Sequence, residues 1–391
     1  MYVYREGKIN LYCIIIFLSL MESNLFDPPK SFKVLILGAS YGSLLASKLL
    51  LAGHQVTLVC RSQTADLINR EGTRVKMTVK GTSELIEIDS RLYPNALNAM
   101  APDQVHPEHY DLVGLAMQEP QYSETSVRAL MKRIGKANVP CMSIMNMPPL
   151  PYLARINGMD IRNYRSCYLD PEVWDGFDPS LMTLCSPDPQ AFRPIPDQPN
   201  VLQVGLPTNF KVAKFVHSEQ NAVLEQLESD IEKARFMQDG VALDLPVKLK
   251  VHDSLFVPLA KWSMLLTGNY RCILDETVQS IKEAVHSDID QSRAIYEWVA
   301  HLCKILGASH DDMVPFEKYA NAANGLLKPS SAARSLVAGE THIERIDLLI
   351  KLIADQKGYQ LDSVDVTVKR VDHWLNKNRA QHQKTAQLQA S

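Results

Sequence analysis

Residues 34–60 read VLILGASYGSLLASKLLLAGHQVTLVC, and their pattern decides the fold. Residues 34–37 form an uninterrupted apolar run, as expected of a strand covered on both faces in a parallel sheet. Glycines at 38 and 42 bracket a turn, and residues 43–51 then carry apolar side chains at helical spacing. Ala52-Gly53-His54 ends that helix, because glycine tolerates the backbone that follows a last helical turn, and residues 56–60 (VTLVC) read as a second strand. Strand, turn, helix and strand make a βαβ unit. Glycines at such a turn let backbone N–H groups approach a pyrophosphate while the helix N-terminus adds partial positive charge. Gly38, Ser40, Tyr41 and Gly42 are therefore the expected dinucleotide contacts, although glycine also serves many βαβ turns only to reverse the chain.

The end of the second strand narrows the cofactor. A fold that prefers NAD places Asp or Glu there for the ribose hydroxyl, whereas this chain has Cys60-Arg61-Ser62 and no acid before Asp66. An arginine fork pairs well with a 2′-phosphate, and Ser62 can add a bond, so the expected cofactor is NADP(H) with Arg61 on the phosphate. The plain alternative is a solvated arginine after a strand.

Working outward, the 391 residues are 46% hydrophobic and 22% charged, enough apolar material for one large core or two and too much for general disorder. Lys+Arg 41 against Asp+Glu 44 leaves a formal charge of −3. That balance predicts neither a nucleic-acid partner nor a membrane surface. The seven cysteines are scattered, odd in number and never in a C-x-x-C pair, which fits reduced thiols in a cytoplasmic protein and suggests no metal site. Residues 11–20 (LYCIIIFLSL) follow Arg5 and Lys8 like the front of a secretion signal, but the run is short of the roughly 20 residues a bilayer needs. No small-x-small site follows it, so residues 1–30 read as an appended extension, with the working protein beginning near Met21.

Residues 147–208 are rich in proline and read as an irregular tail of the first domain, followed by a strand at 201–204, a helix at 221–236 and a short strand at 246–251. Beyond His252 the periodicity is helical at 254–266, 277–283, 289–306, 331–337, 343–357 and 363–375, with 307–329 a loop carrying a helical turn. The expected fold class is α/β: a Rossmann-type doubly wound sheet at 31–250, an all-α second domain at 251–376 and a mobile polar tail at 377–391.

Several further segments carry a resemblance. The residues from Gly42 to Ala46 and from Ala52 to Arg61 resemble the opening of the ketopantoate reductase family. Residues 111–116 (DLVGLA) look like its fourth strand, and Ser143-Ile144-Met145-Asn146 like the strand ending in its nicotinamide-side asparagine. Residues 259–269 (LAKWSMLLTGN) resemble its catalytic-lysine helix, and Pro329-Ser330-Ser331 with the later 341–347 (THIERID) its substrate-binding serine and acidic segment. The likeness is collinear from about Ser31 to Gly358.

The departures are specific. The glycine turn is one residue shorter than G-x-G-x-x-G, with Ala39 or Ser40 near the place of the middle glycine. Asn146 is followed by Met147-Pro148-Pro149 where the family has Asn-Gly, and Leu265 stands where the lysine helix carries its first asparagine. The substrate-contacting glutamate aligns with His342, with Glu344 the rival if one gap is allowed.

The resemblance implies hydride transfer from NADPH to the carbonyl of a 2-oxo acid, with Lys261 as general acid, Asn146 beside the cofactor, and Asn269, Ser330, Ser331 and His342 towards the substrate. Taken by themselves, Lys261 can instead snorkel from an apolar helix, Asn146 can be a turn residue, and the serines can cap the helix at 331–337. The expected protein is an NADPH-dependent, 2-dehydropantoate 2-reductase-like enzyme, cytoplasmic, with a small-molecule 2-oxo acid as substrate and a homodimer as a candidate assembly. The alternatives are a non-catalytic NADP-binding sensor or partner subunit, and an opine-type dehydrogenase.

Overall fold

The computed structural model describes residues 30–80, 85–94 and 96–390. The chain divides into a short unit, Met1–Phe32, and a compact unit, Lys33–Ser391, to which all the described strands and helices belong. The apolar run at 11–20 lies outside the described residues.

The opening unit consists of β1 (Lys33–Leu37), α1 (Gly42–Leu51) and β2 (Gln55–Val59), with β1 and β2 paired in parallel from Lys33↔Gln55 to Leu37↔Val59. Residues Val34 to Leu37 are wholly buried, which is why this strand is apolar on both faces. Next come α2 (Ser62–Glu71), the antiparallel pair β3 (Arg74–Thr78) and β4 (Leu85–Asp89), and β5 (Leu97–Met100). They lead to β6 (Leu112–Leu115), α3 (Thr125–Ala137), β7 (Cys141–Ile144), the single turn α4 (Leu150–Leu153) and β8 (Met182–Ser186).

The remaining strands are β9 (Gln190–Phe192), β10 (Val201–Leu206), β11 (Phe210–Ala213), β12 (Phe236–Gln238), β13 (Val241–Leu243) and β14 (Leu249–His252), with α5 (Ser218–Lys233) between β11 and β12. The main sheet has eight strands in the order β14-β11-β8-β7-β6-β1-β2-β5. All its pairings are parallel except that of β11 with β8. Strand order reverses between β1 and β6, and a doubly wound sheet opens a crevice for ligands at that point, outside the carboxyl ends of its strands. A second sheet, β4-β3-β10-β9, and the hairpin β12-β13 complete the described strands.

After β14 the described elements are helical. A 3-10 turn, Pro258–Ala260, runs into α6 (Lys261–Met264) and then a π turn, Leu265–Tyr270. The series continues with α7 (Ile281–His286), α8 (Ile289–Ile305), α9 (Phe316–Ala323), α10 (Ser331–Val337), α11 (Ile346–Gln356) and α12 (Asp362–Ala390). One apolar cluster spans sheet and helices, joining Leu35, Leu115 and Leu184 to Trp262, Leu302, Ile350 and Leu375.

Three expectations are corrected. Residues 147–208 are not simply irregular: the segment contributes β8 to the middle of the sheet, its five residues all buried, and its prolines lie outside the strands. The segment 307–329 holds a two-turn helix, α9, whose Phe316, Tyr319, Ala320 and Ala323 are buried. The polar stretch from Lys377 continues α12 rather than fraying. Its Lys, Gln, Arg and Ala residues are good helix formers, and the Asn378 amide fastens it by donating to the carbonyls of Leu336 and Glu340, both at 2.9 Å. No described helix is long and apolar enough to cross a membrane.

Candidate active site

The glycine turn leaves β1 beneath the end of β6. Gly38 has φ +105°, and a Cβ there would lie 2.7 Å from the Ala116 carbonyl oxygen, so only glycine fits this reversal. A Cβ on Gly42 would lie 2.6 Å from Ile36 Cγ2, so this glycine lets α1 press onto β1. These are the roles of the first and last glycines in a dinucleotide fingerprint, tight turn and close helix packing. Ser40, at the middle position, is partly exposed. Tyr41 does not stand free in the turn: its hydroxyl donates to the Pro189 carbonyl at 2.7 Å and its ring meets Phe210 edge-on.

At the end of β2, Arg61 is exposed, extended in backbone, and in no ion pair among the described residues. Ser62 opens α2, where a nearby hollow is lined by Asp66, Asn69, Asn98 and Gln104.

The other strand ends converge on the far side of the turn. Gln118 and Glu119 follow β6, Asn146 follows β7, and residues 187–189 follow β8. A narrow crevice is lined by Gln118, Asn146, Asn269, Ser331, Ser335 and Glu344. Asn146 Nδ2 donates to Glu344 Oε2 at 3.4 Å, and the Glu119 backbone N–H donates to Glu344 Oε1, also at 3.4 Å. Burial pushes the Glu344 carboxyl up, against the bonds from Asn146, Glu119 and Met147 and the pull of Lys261. The Asn146 carbonyl oxygen is buried and has no partner among the described residues.

Lys261 begins α6 and is largely buried. Its Nζ donates to the Pro187 carbonyl at 2.7 Å and lies 3.9 Å from Asp188 Oδ1. Burial pulls its pKa down, while the charges of Asp188 and Glu344 oppose that shift. The helix it starts is not regular. Over Leu265–Tyr270 the turn widens to π spacing, so Asn269, eight residues on, is not displaced from Lys261 by two ordinary α-helical turns on one face. Asn269 instead lines the crevice, and the Lys261 amine reaches the segment after β8.

The acidic segment also needs correcting. His342 is exposed, with Nδ1 3.0 Å from the Thr341 hydroxyl and with Arg379 nearby, and it does not line the crevice. Glu344 occupies that place, held there because Tyr270 donates from its hydroxyl to the Glu344 carbonyl while accepting from the Ile346 N–H. The two serines separate. Ser330 is buried, caps α10 through the Ala333 N–H at 3.1 Å and donates to the Asn269 carbonyl at 2.6 Å, so it braces Asn269. Ser331 lines the crevice.

Glu119 escaped the sequence reading. It is 2% exposed, takes the Leu169 N–H on one oxygen at 3.0 Å, and its carboxyl is pushed up to about 8 by burial, with the Glu344 charge adding. The available signal was position: it is an acid just past the end of a buried parallel strand.

Residues 34–146 match the family model described as ketopantoate reductase PanE/ApbA. Over this segment the chain is similar to that family. Solved structures extend the likeness in fold over most of the chain. A putative ketopantoate reductase from Ralstonia solanacearum MolK2 superimposes with a TM-score of 0.61 at 13% identity, covering 89% of this chain and 99% of that one. The probable 2-dehydropantoate 2-reductase from Bacillus subtilis gives 0.54 at 14% identity, covering 88% and 99%. D-mandelate dehydrogenase, solved as a complex with NADH, gives 0.55 at 11% identity, covering 89% and 99%. No curated protein matches the chain. At these identities the likeness is one of fold.

Proposed function

We propose that the protein is an NADPH-dependent reductase of a 2-oxo acid, with its site at the carboxyl ends of β1, β2, β6, β7 and β8. The observation that carries this reading is a largely buried amine, Lys261, bonded to the segment that follows β8 and near enough to Glu344 of the crevice for their charges to act on each other, beside the switch point of a dinucleotide-type sheet. The tight passage of Gly38 and the close packing at Gly42 fit a bound pyrophosphate, and exposed Arg61 suits a 2′-phosphate. When bound, the nicotinamide supplies the hydride.

The chain's own residues have three tasks. Lys261 donates a proton to the carbonyl oxygen as negative charge develops there, and burial weakens its hold on that proton. Asn146, Asn269 and Ser331 offer hydrogen bonds that orient the substrate. Glu344, bonded to Asn146, accepts from a substrate hydroxyl or amine.

The test is to titrate NADPH by fluorescence and then add a panel of 2-oxo acids. Lys261→Ala should lower turnover by about 10²- to 10⁴-fold, the usual contribution of a general acid, and weaken cofactor binding far less. Near-normal turnover in that variant removes Lys261 from the mechanism. Tight NADPH binding with no acid reduced would favour a non-catalytic sensor.

A further inference from the structure

Residues 187–189, Pro-Asp-Pro, leave the end of β8 and touch both sides of the site. On one side Tyr41, from the glycine turn, bonds the Pro189 carbonyl at 2.7 Å. On the other, Lys261 Nζ bonds the Pro187 carbonyl at 2.7 Å and stands 3.9 Å from Asp188 Oδ1. Asp188 is fixed independently: Ser186 donates its hydroxyl to Oδ1, and Lys211 Nζ, from β11, lies 3.1 Å from Oδ2. The flanking prolines restrict φ on either side of it and bring no N–H of their own. We propose that Asp188 is the positioning residue of Lys261, keeping its amine in place and protonated, and that Tyr41 ties the same segment to the cofactor turn.

The electrostatics agree with the geometry. The groups facing Lys261 are Asp188, Glu344, Lys211 and Cys185, and after burial the largest influence is the Asp188 charge, which restores part of the basicity that burial removes. The groups facing Asp188 are Lys261, Lys211, Ser186, Tyr41 and Cys185. Burial raises the Asp188 carboxyl, but Lys261 and Lys211 outweigh it and leave it below the usual range, so it is an anion at neutral pH. A general acid must hold its proton until the carbonyl takes it. Without the anion, burial would strip the amine of charge at lower pH.

This proposal rests on Lys261 being the proton donor, and the experiment separates the two claims. In protein carrying ¹³C,¹⁵N-lysine, the Nζ resonance lost in Lys261→Arg identifies the amine, and its titration is followed by NMR with no substrate present. Asp188→Asn should move the midpoint to lower pH and Asp188→Glu should restore it; an unmoved midpoint in Asp188→Asn overturns the proposal. If Asp188→Asn does not fold, Asp188→Ser carries the test, with the same fall in the midpoint expected, and no movement would again refute the proposal. In the 2-oxo acid assay, Asp188→Asn should bring the alkaline fall in turnover to lower pH, with about tenfold loss at pH 8 and little change in NADPH affinity. Retained turnover in Lys261→Ala would instead refute the donor role, whatever the NMR midpoint does.

Discussion

Arg61 and Glu119 show how single residues at strand ends differ in what they can do. Arg61 is exposed and unpaired among the described residues, so its fork is free for a phosphate without first breaking an ion pair. Charge-assisted hydrogen bonds contribute about 1.5–3 kcal/mol, so Arg61→Ala should weaken NADPH by about tenfold or more and NADH much less. Equal weakening of the two, measured by fluorescence titration, would contradict phosphate recognition. Glu119 is the reverse case, a buried acid whose carboxyl lies at about 8 in the folded protein against about 4.3 when unfolded. The folded state therefore binds more protons between those values, and the contribution of Glu119 to stability is complete below about pH 4.3 and lost as pH rises through about 8. Glu119→Gln, neutral throughout, should gain stability relative to the wild type between pH 5.5 and pH 8.5 in urea denaturation. A constant difference would mean the carboxyl titrates normally.

The element that shapes the crevice is the π turn at Leu265–Tyr270. At its start the Tyr319 hydroxyl of α9 donates to the Met264 carbonyl at 3.1 Å. Gly268 makes the approach possible, since a Cβ there would sit 2.0 Å from the Tyr319 hydroxyl oxygen. Gly268→Ala should destabilise by about 1–3 kcal/mol, the usual cost of overpacking. Because the clash is with the hydroxyl, adding Tyr319→Phe should recover part of that loss, so a double-mutant cycle should be non-additive. Additive effects would show that the tyrosine does not constrain the turn. The sequence showed an apolar helical pattern with a lysine and an asparagine eight residues apart. It could not show the widening, nor that a tyrosine 55 residues further on bonds to its start.

Across the whole molecule, α1 is joined to the far end of the sheet-bearing part by Lys48. It is 1% exposed and donates to the carbonyls of Pro246 at 3.0 Å and Leu245 at 3.4 Å, just before buried Val247, whose φ of +67° is strained for a β-branched residue. Burial lowers its pKa to about 7, with Lys248 adding to the fall and Asp244 and Glu232 opposing it. The unfolded chain, with lysine near 10.4, binds the extra proton between those values, so this group makes stability rise with pH from about 7 to about 10.4. Chemical denaturation at pH 7 and pH 9 should show the wild type gaining on Lys48→Met. A difference that does not change would place the Lys48 proton elsewhere.

Local pattern alone specified the first βαβ unit, because continuous apolarity, a glycine turn and helical spacing are all properties of neighbouring residues. The same holds for the helices now seen as Ile289–Ile305 and Ser331–Val337, whose spacing and serine cap are local signals. The acids are another matter. His342 and Glu344 lie two residues apart in one segment, and only the packing of Tyr270 against the backbone there decided which faces Asn146. Residues 187–189 looked like one more proline-rich stretch until the fold set them between Tyr41 and Lys261. Periodicity reports which face of an element is buried; which groups from distant segments meet there depends on how the elements close on one another, and only the tertiary structure decides that.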